Sequence, residues 1–203
     1  MLITIGIIRR TLAAVGLAAL SLSLSSQGLL SASGNEPSAP EGPFAENFTF
    51  SDPPVPAPSV AFQALDGEVV TLADFRGQVV LVNFWATWCA PCVREMPSLQ
   101  RLHQELADEG FTVLAVSEDR AGAAVVRPFL KRLELHGLPI YLDGKGRLAQ
   151  AFVVKGLPTS FLIDRQGQVV VGLVGPTEWD SQEAKALIRH YLLQESPLKN
   201  TSG

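Results

Sequence analysis

The stretch Val79–Pro97, VVLVNFWATWCAPCVREMP, restricts the fold of this chain more than any other. It opens as an uninterrupted run of apolar and β-branched residues, Val79–Phe84, which is how a strand buried on both faces reads. It closes as a helix expected from Pro91 to about Leu106, with Met96, Leu99, Leu102 and Leu106 along one face. The only cysteines of the chain, Cys89 and Cys92, sit at the join.

That placement has chemical consequences. A cysteine at a helix start meets unpaired backbone N–H groups and the positive end of the helix dipole. Both favour thiolate over thiol, and such a cysteine typically has its pKa lowered from about 8.5 to roughly 3.5–7.5. Cys92 follows by almost one turn, close enough to bond to Cys89. Pro91 suits the first turn, where its missing N–H matters little. Cys89 is therefore the attacking thiolate, and Cys92 the resolving thiol that closes the Cys89–Cys92 bridge.

Composition narrows the alternatives. A chain of 203 residues, 47% hydrophobic and 18% charged, suits one globular domain plus a leader. The net charge of −4 and the lack of a basic stripe argue against nucleic-acid binding. Two cysteines make neither a disulfide framework nor a four-cysteine zinc site. A bridge across so short a loop constrains the unfolded chain little, so a purely structural staple is the poorer reading.

The chain resembles the thioredoxin superfamily, and within it the TlpA/ResA-type thiol:disulfide interchange proteins, from about Ser59 to Leu193. The residues that carry the resemblance are F-W-A-T-W-C-A-P-C over Phe84–Cys92, Glu95, Pro97, G-L-P-T over Gly156–Thr159, and G-P-T-E-W over Gly175–Trp179. It implies an α/β fold with a central mixed sheet flanked by helices and an added N-terminal β-hairpin. It also implies catalytic roles for Cys89, Cys92, Glu95 and Pro158, with Trp88, Ala90, Pro91, Leu157 and Thr159 meeting the substrate. Pro158 would be cis and face the cysteines, and the backbone of Leu157 would pair with an extended client segment. Glu95, three residues after Cys92, would assist proton movement there; the bland alternative is an exposed glutamate paired with Lys or Arg. Ordinary thioredoxins carry a buried aspartate where this chain has Asn83, a neutral amide that does no acid–base work, which strengthens the case for Glu95. Trp88 is expected beside the cysteines, Trp85 and Trp179 in packing, and Arg94 in solvent. His103, His136 and His190 have no ligand-pair spacing. No cofactor is expected beyond the redox-active Cys89–Cys92 pair.

Along the chain, 1–34 reads as a targeting segment: Arg9 and Arg10 precede an apolar run, Thr11–Leu30, which serves either as a membrane anchor or as a leader cleaved near Ser31-Ala32-Ser33. Residues 35–58 are rich in Pro, Ser, Ala and Glu and are expected to form an extended tether. The thioredoxin-like domain spans 59–195. It opens with a hairpin around Asp66-Gly67 and a helical turn over Leu72–Phe75. After the Cys89 helix come a strand at Phe111–Ser117, a helix over Gly122–Leu135 and a strand at Ile140–Leu142. A short helix over Leu148–Phe152, a hairpin of Ser160–Ile163 with Val169–Val174 and a last helix over Ser181–Leu193 complete it. Residues 196–203 read as a loose tail.

The function expected on these grounds is an exported, periplasmic thiol:disulfide oxidoreductase, either released or held at the membrane by its N-terminal segment, that reduces partner proteins. By resemblance its electrons come from a membrane thiol carrier of the DsbD/CcdA kind. Its clients would be apocytochrome c cysteines or the cysteine pairs of a copper chaperone or an oxidase subunit. An oxidase or isomerase of the same build and a Cu(I)-binding chaperone module are the competing readings.

Overall fold

The computed structural model describes residues 48–194, and every structural statement below concerns those residues. The segment expected as a leader, the first part of the tether and the tail lie outside them. Eight strands form one mixed sheet: β1 (Phe48–Pro56), β2 (Phe62–Ala64), β3 (Val69–Val70), β4 (Val79–Trp85), β5 (Phe111–Ser117), β6 (Ile140–Leu142), β7 (Thr159–Ile163) and β8 (Gln168–Val174). Their spatial order is β1-β8-β7-β4-β5-β6-β2-β3. The helices are α1 (Ala90–Leu106), α2 (Ala123–Arg132), α3 (Arg147–Ala151) and α4 (Gln182–Leu193).

β4 is the middle of the arrangement. It pairs parallel with β5 and antiparallel with β7, so both its edges are hydrogen-bonded. All its residues are buried. Alternation along the strand splits them: Val79, Leu81 and Trp85 pack into the core shared with α1, α2 and α4, while Val80, Val82 and Phe84 pack towards Leu148, Ala149 and Phe152 at α3. Asn83 falls, by the same alternation, on the α1 side. Parallel pairing covered on both faces explains the unbroken apolar run in the sequence.

The expected mixed sheet, flanking helices and added hairpin are present, and β2–β3 joins the sheet through β6. The tether is corrected in its second part, where β1 pairs antiparallel with β8. Phe48 anchors it, buried with its ring edge-on to Trp179 at 6.3 Å. The register slips between Phe50 and Val55, around Pro53 and Pro54. Prolines lack the donor a ladder needs and are tolerated on an edge strand, which is why a Pro-rich stretch can still be strand here. The second helix is shorter than expected. It keeps Pro128 inside, and Val125 and Leu133, expected on its apolar face, are exposed while Val126, Phe129 and Leu130 are buried.

Candidate active site

Cys89 caps α1: its backbone is extended (φ −88°, ψ 95°) and its Sγ accepts the Cys92 amide N–H at 3.3 Å. Pro91 lies in the first turn, where no intrahelical donor is required. The two cysteines are disulfide-bonded, with Cα atoms 5.3 Å apart. They differ in access: Cys89 is 6% exposed and Cys92 is wholly buried.

Glu95, one turn after Cys92, is buried rather than solvated. Asn83 Nδ2 donates to its Oε1 at 2.7 Å, and the Thr177 amide donates to Oε2 at 3.1 Å. Asn83 Nδ2 also reaches Ser160 Oγ at 3.0 Å, which ties the α1 carboxyl to β4 and β7. Burial pushes the Glu95 pKa from its ordinary 4.5 up to about 7, against the pull of the Asn83 and Thr177 donors. The Trp179 indole also pulls it down, yet Nε1 makes no hydrogen bond of acceptable geometry; its effect is the weaker one, that of a nearby dipole. A carboxyl group that titrates near neutrality can take and return a proton at physiological pH.

Gly156–Thr159 form the loop that leads into β7, and Gly156 and Leu157 share a cleft with Trp88. The Leu157–Pro158 bond is cis. The Pro158 carbonyl accepts the Gly175 amide at 2.9 Å, and Thr159 Oγ1 donates back to the Gly156 carbonyl at 2.8 Å. Thr159 is therefore buried and braces the loop, where the sequence pointed to a substrate contact. Leu157 is half-buried, Ala90 exposed and Pro91 half-buried. Trp88 is 70% exposed, unusual for so large an aromatic. It lines a cleft of about 430 Å³ together with Glu118, Ala149, Val154, Lys155, Gly156 and Leu157. A larger cleft of about 630 Å³ lies between the β2–β3 hairpin and the loops after β5 and β6, and no cysteine, Trp88 or Leu157 lines it.

Three contributors escaped the sequence reading. Asp119, buried just after β5, accepts the Thr87 amide at 2.9 Å and the Thr87 hydroxyl at 2.7 Å, so it clamps the loop that carries Trp88 and Cys89. Ser117 Oγ supports the same carboxylate at 2.9 Å. The signal was there, a Ser-x-Asp at a strand end, a pattern that favours local side-chain-to-backbone bonding. Thr177, within G-P-T-E-W, holds Glu95, and nothing local marked it. Ser160 is the third. Trp85 packs in the core against Phe129 at 5.6 Å, and Trp179 is buried as expected. Arg94 is exposed. His103 Nδ1 accepts the Val113 amide at 3.4 Å and His190 meets Gln194 at 3.0 Å, both remote in sequence from the cysteine loop.

A mixed sheet, a cysteine pair opening the helix that follows its central strand, and a cis-proline at the start of β7 define a thioredoxin-like protein and a thiol:disulfide oxidoreductase. Residues 54–171 match the AhpC/TSA family, and the chain belongs to that family. It is 34% identical over 141 residues to the thiol-disulfide oxidoreductase ResA of Bacillus thuringiensis subsp. konkukian, covering 70% of this chain and 77% of that protein. Against ResA of Geobacillus kaustophilus the identity is 39% over 113 residues, 56% of this chain and 64% of the relative. Among solved structures, a DsbE-type thiol:disulfide interchange protein of Chlorobium tepidum superposes with a TM-score of 0.63 at 34% identity, covering 68% of this chain and 96% of that one. No helix among the described residues is long and apolar enough to cross a membrane.

Proposed function

We propose that the protein is an exported reductase of disulfides in partner proteins, serving cytochrome c or copper-site assembly. The Cys89 thiolate attacks a client disulfide, forming a mixed disulfide and releasing one client thiolate. Cys92 then gives up its proton and attacks Cys89 Sγ, which closes the Cys89–Cys92 bridge and releases the second client thiolate. The client gains two electrons and, on protonation, two protons; the pair loses the same. Glu95 takes the Cys92 proton. The observation that supports this most is the helix-start pair itself, with a slightly exposed Cys89, a wholly enclosed Cys92 and a near-neutral carboxyl one turn further on. Trp88, Ala90, Pro91 and the Leu157 backbone form the client-facing surface.

Export rests on Arg9–Arg10 and the apolar run after them. In an oxidising compartment the pair needs recharging, for which a membrane thiol carrier is the fitting donor. The G-P-T-E-W segment leans towards copper-site clients. The deciding measurement is the reduction potential of the Cys89–Cys92 couple. A value near about −270 mV supports a reductase, whereas one near about −120 mV makes the protein an oxidase. Stoichiometric Cu(I) binding without reduction of any protein disulfide makes it a metal-handling module instead.

A further inference from the structure

The chain leaves β4 at Trp85 and reaches α1 through one turn, Ala86–Cys89, closed by the Cys89 amide on the Ala86 carbonyl at 3.1 Å. Thr87 and Trp88 are its corner residues. One backbone hydrogen bond is a weak hold on a turn. Trp88 stands 70% exposed, so its indole adds little packing. Asp119 supplies the rest. Its two carboxylate oxygens divide the donors of Thr87: Oδ2 accepts the amide at 2.9 Å and Oδ1 the hydroxyl at 2.7 Å. Among the described residues, no other side chain hydrogen-bonds to Thr87 or Trp88.

Asp119 is itself firmly seated. It is buried, and Ser117 Oγ both donates to its Oδ2 at 2.9 Å and accepts its amide at 3.1 Å. The loop after β6 backs it: the Asp143 amide donates to the Ser117 carbonyl at 2.8 Å, and a Cβ added at Gly144 would stand 3.2 Å from the Asp119 carbonyl oxygen. Two hydrogen bonds from one residue to one carboxylate fix direction as well as distance. Enclosing a carboxylate is unfavourable unless its oxygens are satisfied, so a chain that needed only a closed turn would be served by a neutral side chain.

We propose that Asp119 is a positioning residue for the exchange reaction: through Thr87 it holds Trp88 in the outward pose that meets a client. This rests on the reading that Trp88 belongs to the client-facing surface. Trp88 lines one cleft with Val154 and Leu157, so a fixed turn keeps the shape of that cleft before a client arrives. The cost of ordering the turn is then met in folding and not in binding. Released from Asp119, the turn samples other poses, and the apparent affinity falls with the fraction that still matches a client. Cys89 is held by α1 instead, where its carbonyl accepts the Val93 amide at 3.0 Å and its Sγ the Cys92 amide at 3.3 Å. The effect of Asp119 therefore falls on client binding and not on the sulfur.

The test measures KM and kcat for reduction of a peptide with one Cys-x-x-Cys disulfide, with dithiothreitol as recycling reductant and its direct reaction subtracted. Asp119→Ala is expected to raise KM about fivefold with kcat within about twofold. Trp88→Ala is expected to raise KM about tenfold, and the double variant no further than Trp88→Ala alone, because one residue acts through the other. Thr87→Val, which keeps the amide, should raise KM about twofold, and Thr87→Ser, which keeps both donors, should restore it. This second pair carries the same comparison if Asp119→Ala does not fold. An unaltered KM in Asp119→Ala, effects that multiply in the double variant, or equal KM values in Thr87→Val and Thr87→Ser overturn the assignment. If Trp88→Ala leaves KM as it was, the client-facing surface itself is wrong, and Asp119 loses this role with it.

Discussion

Glu95 and Glu118 both lie near the cysteine pair and both titrate far above an ordinary glutamate, at about 7 and about 8. Burial is the first cause in each, but the second cause differs in sign. Glu95 sits in the core on the α1 side, where Asn83 and Thr177 donate to it and pull its pKa back down. Glu118 sits beside α3, where the charges of Asp143 and Asp119 push it further up and one oxygen has no donor. Similar acidity thus arises from a satisfied group in one place and an unsatisfied one in the other. The first arrangement is closed and suits proton exchange with neighbouring thiols. The second stands beside the cleft that Trp88 lines, with its carboxyl group held against Asp143.

The largest expected effect breaks or upholds the first half of that comparison. In the oxidised protein, folding raises the Glu95 pKa from 4.5 to about 7. The folded state therefore binds more protons than the unfolded chain in that window, and stability falls as pH rises from 4.5 to 7, by about 3 kcal/mol in all. Glu95→Gln should abolish most of this fall in urea titrations at pH 5 and pH 8. A residual fall of the same sign, extending to about pH 8, belongs to Glu118. If Glu95→Gln retains the whole slope, the carboxyl is not enclosed as described.

Next in size is Asn83→Ala, which removes the shortest donor to Glu95. The Glu95 titration, followed by carboxyl-carbon NMR, should move up by about one unit, and the pH profile of Cys89 alkylation should move with it. An unshifted profile separates Glu95 from the thiols. Thr87→Val removes the hydroxyl donor to Asp119 but keeps the amide, and should lower stability by about 1 kcal/mol without moving the Glu95 titration. The smallest change is expected for Glu118→Gln in stability, because that side chain is only half-buried and solvent screens its neighbours. A stability change larger than that of Glu95→Gln would invert the comparison.

How much of this was legible in the chain depends on how local each signal is. The alternating faces of β4, the Cys89 cap, Pro91 in the first turn and the hairpin of β7 with β8 follow from spacing within a few residues. The resemblance carried Pro158 and Glu95; the structure gives the first a cis peptide bond and buries the second one turn after Cys92. The burial of the Thr159 side chain was not legible, because a side chain's direction depends on its strand register, and here Phe84 and Val174 flank it in the sheet. β1 was hidden because its prolines report loop, and only pairing with β8 overrides them.

The sequence by itself determined the redox chemistry: a thiol at a helix start is activated by that backbone terminus wherever the helix packs. Only the tertiary structure decided which groups surround the cysteine pair. Glu95 takes its character from Asn83, 12 residues before it, and Thr177, 82 residues after it. Glu118 takes its character from α3 and the loop that carries Trp88. Desolvation and hydrogen bonding act between neighbours in space, and no periodicity along the chain encodes those neighbours.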